Sequence, residues 1–305
     1  MDINKKLTEE LDVAQWQVDA AVNLIDEGNT IPFISRYRKE ATGSLNDEQL
    51  RKLFERLTYL RNLEEKKAQV IKSIEEQGKL TDELRAQIEA AETQVAVDDL
   101  YRPYRPKRRT RATIAKEQGL EPLANIILLQ ETDQNPKEFA KEFVNEEKGV
   151  KTVKDALQGA LDIIAEVISD NADYRQAIRD LTYRLGRLSS TAKKPDVKTV
   201  YDNYYKYEEE MTKIAGHRVL AVNRGEAEKV LTVKIIAPVE LINDYLVRHV
   251  ITKKNPNTTP LLELAVTDSY TRLIAPSIET EIRNMLTERA EEGAITVFGK
   301  NLEQL

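Results

Sequence analysis

Cysteine is absent from the 305 residues, which excludes a disulfide scaffold, thiolate zinc sites, iron–sulfur clusters and thiol catalysis. Histidine is nearly absent: His217 and His249 stand far apart, with no ligand-like spacing around either. No metal or other cofactor is expected. Glycine and proline number only 11 and 10, below average usage. So few chain breakers beside 32% charged residues predict long helices and argue against a sandwich, a barrel or a collagen-like chain. No apolar run approaches the roughly 18 residues of a membrane span. Residues 1–6 lead into an amphipathic helix without a signal-peptide core. The expectation is a cytoplasmic chain with no membrane partner.

With 41% apolar residues the chain can bury a core, and its length suggests about two domains. Acidic side chains outnumber basic ones by 52 to 46, for a net charge of −6. The distribution is uneven. Between Tyr101 and Lys116 stand Arg102, Arg105, Lys107, Arg108, Arg109, Arg111 and Lys116, with no acid among them.

Helical spacing and breakers organise the rest. Leu7 and Leu11 share a face. Val18, Ala21, Val22 and Ile25 mark a helix over 15–27, with Gly28 as its stop. Thr30 and Pro32 open a third helix, in which Arg36, Arg38 and Lys39 form a second basic patch beside an apolar face. Asn46 caps the longest helix, whose buried stripe runs through Leu50, Leu53, Phe54, Leu57, Leu60 and Leu63 to Ile74, with Gly78 ending it. A helix that long crosses between domains or carries several packing partners. Thr81 caps the next. Short helices follow over 113–118 and from Pro122 to Leu129, then longer ones over 153–170 and 172–185. The polar run 189–196 reads as a linker, Leu231–Ile236 as a strand, and helices return over 261–273 and 278–290. The expected fold is all-α with at most a short strand pair.

Pro103 and Pro106 forbid a regular helix in the basic segment and favour an extended run. Extension would set the guanidinium groups along a phosphate backbone, while Tyr101 and Tyr104 could stack on bases. The opposing reading folds carboxylates over these cations as internal ion pairs. Downstream, Ala115 and Gly119-Leu120 have the spacing of a helix-turn-helix core, although residues 121–130 offer no cation to touch DNA. Tyr201, Tyr204, Tyr205 and Tyr207 read as rings seating the chain on its neighbours or as a stacking surface, with packing favoured. Catalytic signatures fail: Gly299-Lys300-Asn301 with Ala294 upstream is no phosphate-binding loop, and no dinucleotide or nucleophile-elbow motif occurs. The chain is not expected to be an enzyme.

Three stretches together resemble the N-terminal region of the Tex family of bacterial transcription accessory proteins: residues 31–43, the basic run 99–121, and residues 215–226 (AGHRVLAVNRGE). The resemblance covers essentially all the chain. It implies a cytoplasmic protein linked to transcription and RNA binding, distantly similar to a eukaryotic elongation factor. It also implies further domains beyond this chain, including a ribonuclease-H-like domain, helix-hairpin-helix domains and an OB-fold RNA-binding domain. A helix-turn-helix-like insert over 79–195 would then interrupt a helical domain of 1–78 plus 196–305. Expected partners are RNA or DNA through phosphate contacts at Tyr101, Arg102, Tyr104, Arg105, Lys107, Arg108, Arg109, Arg111 and Lys116, those further domains, and the transcription machinery. The rival reading is a packing or protein-interaction scaffold that binds no nucleic acid.

Overall fold

Local capping chemistry sets most helix boundaries in this chain. The computed structural model describes residues 2–303, with side chains through residue 295; of Gly299-Lys300-Asn301 only the backbone is described. The first six helices are α1 (Ile3–Leu11), α2 (Gln15–Asp26), α3 (Ile31–Tyr37), α4 (Asp47–Glu76), α5 (Asp82–Ala90) and α6 (Gln94–Tyr101). Asn46 and Gln49 form a reciprocal capping box at the start of α4. Thr81 and Thr93 accept the N-terminal amides of α5 and α6, satisfying donors that have no partner within the helix. Gly28 and Gly78 take positive φ after α2 and α4, a conformation that side chains resist.

These helices form one compact unit, residues 1–104. At about 1.5 Å per residue, α4 runs about 45 Å and serves two cores in succession. Leu50, Leu53, Leu57 and Leu60 pack with Leu7, Val18, Ala21 and Ile34. Leu63, Val70 and Ile74 pack with Leu84, Ile88 and Val97. Its length therefore reflects several partners within one unit. Phe54 departs from the expected stripe and is 43% exposed, because it falls beyond the edge of the arc that Leu50, Leu53, Leu57 and Leu60 share.

Residues 105–305 form the second unit: α7 (Arg111–Glu117), α8 (Glu121–Leu129), α9 (Pro136–Phe139), α10 (Val153–Asp170), α11 (Ala172–Leu185), β1 (Arg187–Ala192), β2 (Lys206–Glu210), α12 (Gly216–Ala227), β3 (Leu231–Ile236), α13 (Val239–Val250), α14 (Thr259–Asp268) and α15 (Ala275–Glu303). A π-helical turn, Ser269–Ile274, joins α14 to α15. One hydrophobic core extends from Ala112 to Ala290. The boundaries expected near residues 78 and 195 are thus not where the compact units divide. The helices after Gly78 pack back onto α4, and the segments on either side of residue 195 share a core.

That sharing is made by a sheet. Three antiparallel strands lie in the order β2-β1-β3, where the sequence suggested at most a strand pair and a linker at 189–196. The polar run fails as a linker because alternate residues point inward. Leu188 and Ser190 are buried, and the Ser190 hydroxyl donates to the Tyr204 carbonyl at 2.7 Å, so its burial leaves no polar group unmet. The tyrosines pack: Tyr201 is buried, and the Tyr204 and Tyr207 rings meet edge-on with centroids 5.1 Å apart. The fully buried Arg175 of α11 ties that helix to α15, donating to Ser277 Oγ at 2.5 Å and Glu281 Oε1 at 2.8 Å.

Gly186, between α11 and β1, sits where backbones converge: a Cβ there would collide with the Thr182 carbonyl and lie 2.9 Å from the Ile236 carbonyl. Gly186→Ala should lower unfolding free energy by about 1–3 kcal/mol in urea titrations. The Tyr207 phenol is pushed up to about 12 by burial and then by its hydrogen bond to Glu209, with Arg218 opposing. A raised phenol keeps its proton in the folded state after unfolded chains have lost theirs, so stability should fall between pH 10 and about 12. Tyr207→Phe should flatten that decline in alkaline unfolding curves.

Candidate nucleic-acid interface

Pro103 and Pro106 keep the backbone out of helix and strand after α6, and regular structure resumes at α7. Within the first unit, Tyr101 and Tyr104 pack against the second core of α4. The Tyr101 hydroxyl lies 2.9 Å from Ser73 Oγ, and the Tyr104 carbonyl accepts from Gln77 Nε2 at 3.0 Å. Both residues are half-buried, which reduces the ring area open to a stacking base. Arg102 is half-buried with them, at the C-terminal cap of α6.

Within the second unit the cations divide by role. Lys107 reaches α10, where its ammonium meets Asp170 and lies 3.2 Å from Glu166 Oε1. Asp170 ends α10 and Glu166 stands one turn before it, and the last turn contains no basic residue of its own. The negative end of a helix dipole disfavours carboxylates, so Lys107 supplies the missing counter-charge and pins the segment. Arg109 Nη2 meets Glu117 Oε2 at 2.9 Å, and Lys116 meets Glu121 at 3.7 Å. These pairs are exposed and worth little. Arg105 is also exposed. Arg108 and Arg111 are exposed and make no ion pair among the described residues. Arg111 occupies the first position of α7, the end where the helix dipole disfavours a cation, so helix stability does not explain its placement. Its charge is felt by Asp162 of α10, whose carboxyl burial pushes up while Gln158, Arg272 and Arg111 oppose.

Thr110 caps α7 by accepting from the Thr113 amide at 3.0 Å. Gly119, at φ +81°, turns the chain into α8. The Leu120 amide donates to the Ala115 carbonyl at 3.0 Å, and buried Leu120 and Ala115 pack over Gly159 of α10. In the first unit, Arg36, Arg38 and Lys39 are all exposed at the end of α3. Sequence reasoning did not single out their neighbours Phe33 and Tyr37, whose rings are 5.3 Å apart and exposed. Their four-residue spacing was the available signal. His217 lies exposed in the first turn of α12. His249 Nδ1 lies 2.7 Å from the Tyr245 carbonyl, its ring against that of Tyr245. Among the described residues no group of three acidic or histidine side chains could hold a metal. Among them, too, no helix is long and apolar enough to cross a membrane.

Residues 1–75 match the family model of the Tex-like protein N-terminal domain, and residues 131–298 match the Tex central region-like model. The chain belongs to the Tex family. The basic segment lies between the two matched stretches. YdcI of Bacillus subtilis is 44% identical over 99% of this chain and 43% of its own length. The transcriptional accessory protein Tex of Neisseria gonorrhoeae is 42% identical over all of this chain and 41% of its own length. The human S1 RNA-binding domain-containing protein 1 is 30% identical over all of this chain and 32% of its own. This Tex-family chain thus spans less than half the length of the curated relatives it matches.

The division of the cations is testable by stability. Lys107→Met should lower unfolding free energy by about 1–2 kcal/mol, because two carboxylates are left at the negative end of α10. Arg108→Ala should change it by less than about 0.5 kcal/mol. Denaturant titration of both variants makes the comparison.

Proposed function

We propose that this chain contributes non-sequence-specific RNA or DNA contacts to a Tex-family protein that works in transcription in the cytoplasm, and that it does so without catalysis. The observation that carries this reading is the pair of exposed arginines, Arg108 and Arg111, which form no ion pair among the described residues of a chain with 52 acidic side chains. Arg105 precedes them and Arg109 stands between them, in a segment that Lys107 holds in place. Guanidinium groups so presented suit phosphates, which they meet with paired N–H donors. The names of the gonococcal and human relatives point the same way.

The contacts belong to the segment that leads into the first residue of α7 and not to a recognition helix. The α7–α8 pair has the turn of a helix-turn-helix, but α8 contains no lysine or arginine. Groove reading needs side chains that reach phosphates and base edges. The half-buried Tyr101, Arg102 and Tyr104 have no part in it.

A scaffold reading draws on exposed Leu129 and Leu264, apolar side chains of the kind that a partner protein covers. Salt titration of fluorescence anisotropy separates the two. The wild-type chain should bind single-stranded RNA with an affinity that falls steeply with salt. Replacing Arg105, Arg108, Arg109 and Arg111 by Ala should flatten the log–log slope by about 0.7 for each phosphate that is no longer neutralised. Unchanged affinity and slope would leave the scaffold reading standing alone.

A further inference from the structure

The first unit carries a cationic surface that its own packing does not use. Ile34 and Ser35 turn inward and seat α3, while Phe33 and Tyr37 stay exposed. Their rings are inclined by 43°, and Tyr37 is 69% exposed. The Arg38 guanidinium lies 5.7 Å from the Phe33 ring centroid, within cation–π range. The Arg36, Arg38 and Lys39 side chains make no ion pair among the described residues, although exposed Glu40 follows them directly.

This surface is built on ordered backbone. The Thr42 amide donates to the Arg38 carbonyl at 3.2 Å, and the Ser44 amide donates to the Lys39 carbonyl at 2.7 Å. Gln17 Nε2 donates to the carbonyls of Thr42 and Gly43. The Trp16 ring lies against Gly43, so close that a Cβ there would strike it, yet Trp16 stays 56% exposed. Gly43 also takes φ +60°. The turn that presents the cations is therefore fixed before any ligand arrives, which reduces the ordering needed on binding.

We propose that Phe33, Arg36, Tyr37, Arg38 and Lys39 bind single-stranded nucleic acid, with an unpaired base stacked on Tyr37 and its phosphates on the three cations. The inference takes its class of ligand from the function proposed above but rests on different residues in a different unit. An acidic peptide would satisfy the cations and leave the rings bare. A duplex keeps its base faces stacked on one another, so only a single strand engages rings and cations together.

The test uses the full chain and a short fluorescein-labelled oligouridine, followed by anisotropy. Tyr37→Ala should weaken binding about tenfold, the loss of one base stack, whereas Tyr37→Phe, which keeps the ring, should stay within about twofold. Replacing Arg36, Arg38 and Lys39 by Ala should weaken binding and flatten its salt slope. Unlabelled oligouridine should quench Trp16, the single tryptophan, and less so in Tyr37→Ala. A thymidine oligonucleotide tells DNA from RNA, and a Tyr37-dependent loss on either strand supports the stack. Wild-type affinity and quenching in both Tyr37→Ala and the cation-stripped variant overturn the proposal. The variant lacking Arg105, Arg108, Arg109 and Arg111 runs alongside. If it binds normally while Tyr37→Ala does not, the α3 surface stands and the basic-segment reading falls. The reverse result overturns the α3 surface alone, and a wild-type chain that binds neither oligonucleotide overturns both.

Discussion

A lysine ammonium set between two carboxylates at the end of α10 determines how the second unit begins. α10 is the helix on which α7, α8, α14 and the π-helical turn converge, so a segment fastened to its C-terminal end is fastened to the core of the unit. Asp170 and Glu166 stand there against the helix dipole, and Lys107 reverses that disadvantage. The consequence reaches past Lys107 itself. With the chain held at residue 107 and capped at Thr110, Arg108 and Arg111 have little freedom to fold back onto carboxylates, while Arg109 reaches only exposed Glu117. One cation is used for structure, and its neighbours are thereby kept in water.

The same separation would let an acidic chain favour a polyanion at one place. At physiological ionic strength the screening length is about 8 Å. A phosphate touching Arg108 therefore responds to that arginine and its immediate neighbours far more than to carboxylates across the unit. Net charge governs approach from a distance, while the local arrangement governs contact. A fold that paired every arginine with an available acid would have the same net charge and no such surface.

Much of this architecture was legible because helix ends are written locally. Asn46, Thr81, Gly28, Gly78 and Gly119 mark boundaries within a turn of where they fall, and the helices ending at Asp170 and Leu185 follow from spacing alone. The sheet was not legible. β1 reads as a serine-rich connector, and its strand character comes from partners far along the chain, Ser190 pairing with Tyr207 on one side and Val233 on the other. The division into units was hidden for the same reason, since contacts distant in sequence decide which core a segment joins. At the candidate site, composition located the cations but could not sort them. Lys107 and Arg108 are adjacent and alike in sequence, yet one is tethered by residues some sixty positions away and the other is not. Tyr101 and Tyr104 looked equally available until the second core of α4 claimed them.

What separates a binding surface from a solvated one is whether the fold has a use for its groups. Exposed cations on helices normally sit opposite acids at four-residue spacing, as Arg51 with Asp47 and Lys52 with Glu48 do on α4. Those pairs add little stability, but they leave no strong local field. Among the described residues, Arg36 and Lys39 at the end of α3 lack such partners, and so do Arg108 and Arg111 beside α7. Exposed aromatic rings are a second departure, because burying Tyr37 and Phe33 would have stabilised the unit through the hydrophobic effect. Either feature alone is weak. Rings left in water beside unpaired cations, on a turn already ordered by Gln17 and Trp16, combine two arrangements that folding does not reward, and a single strand with its bases and phosphates is the chemistry that both would serve.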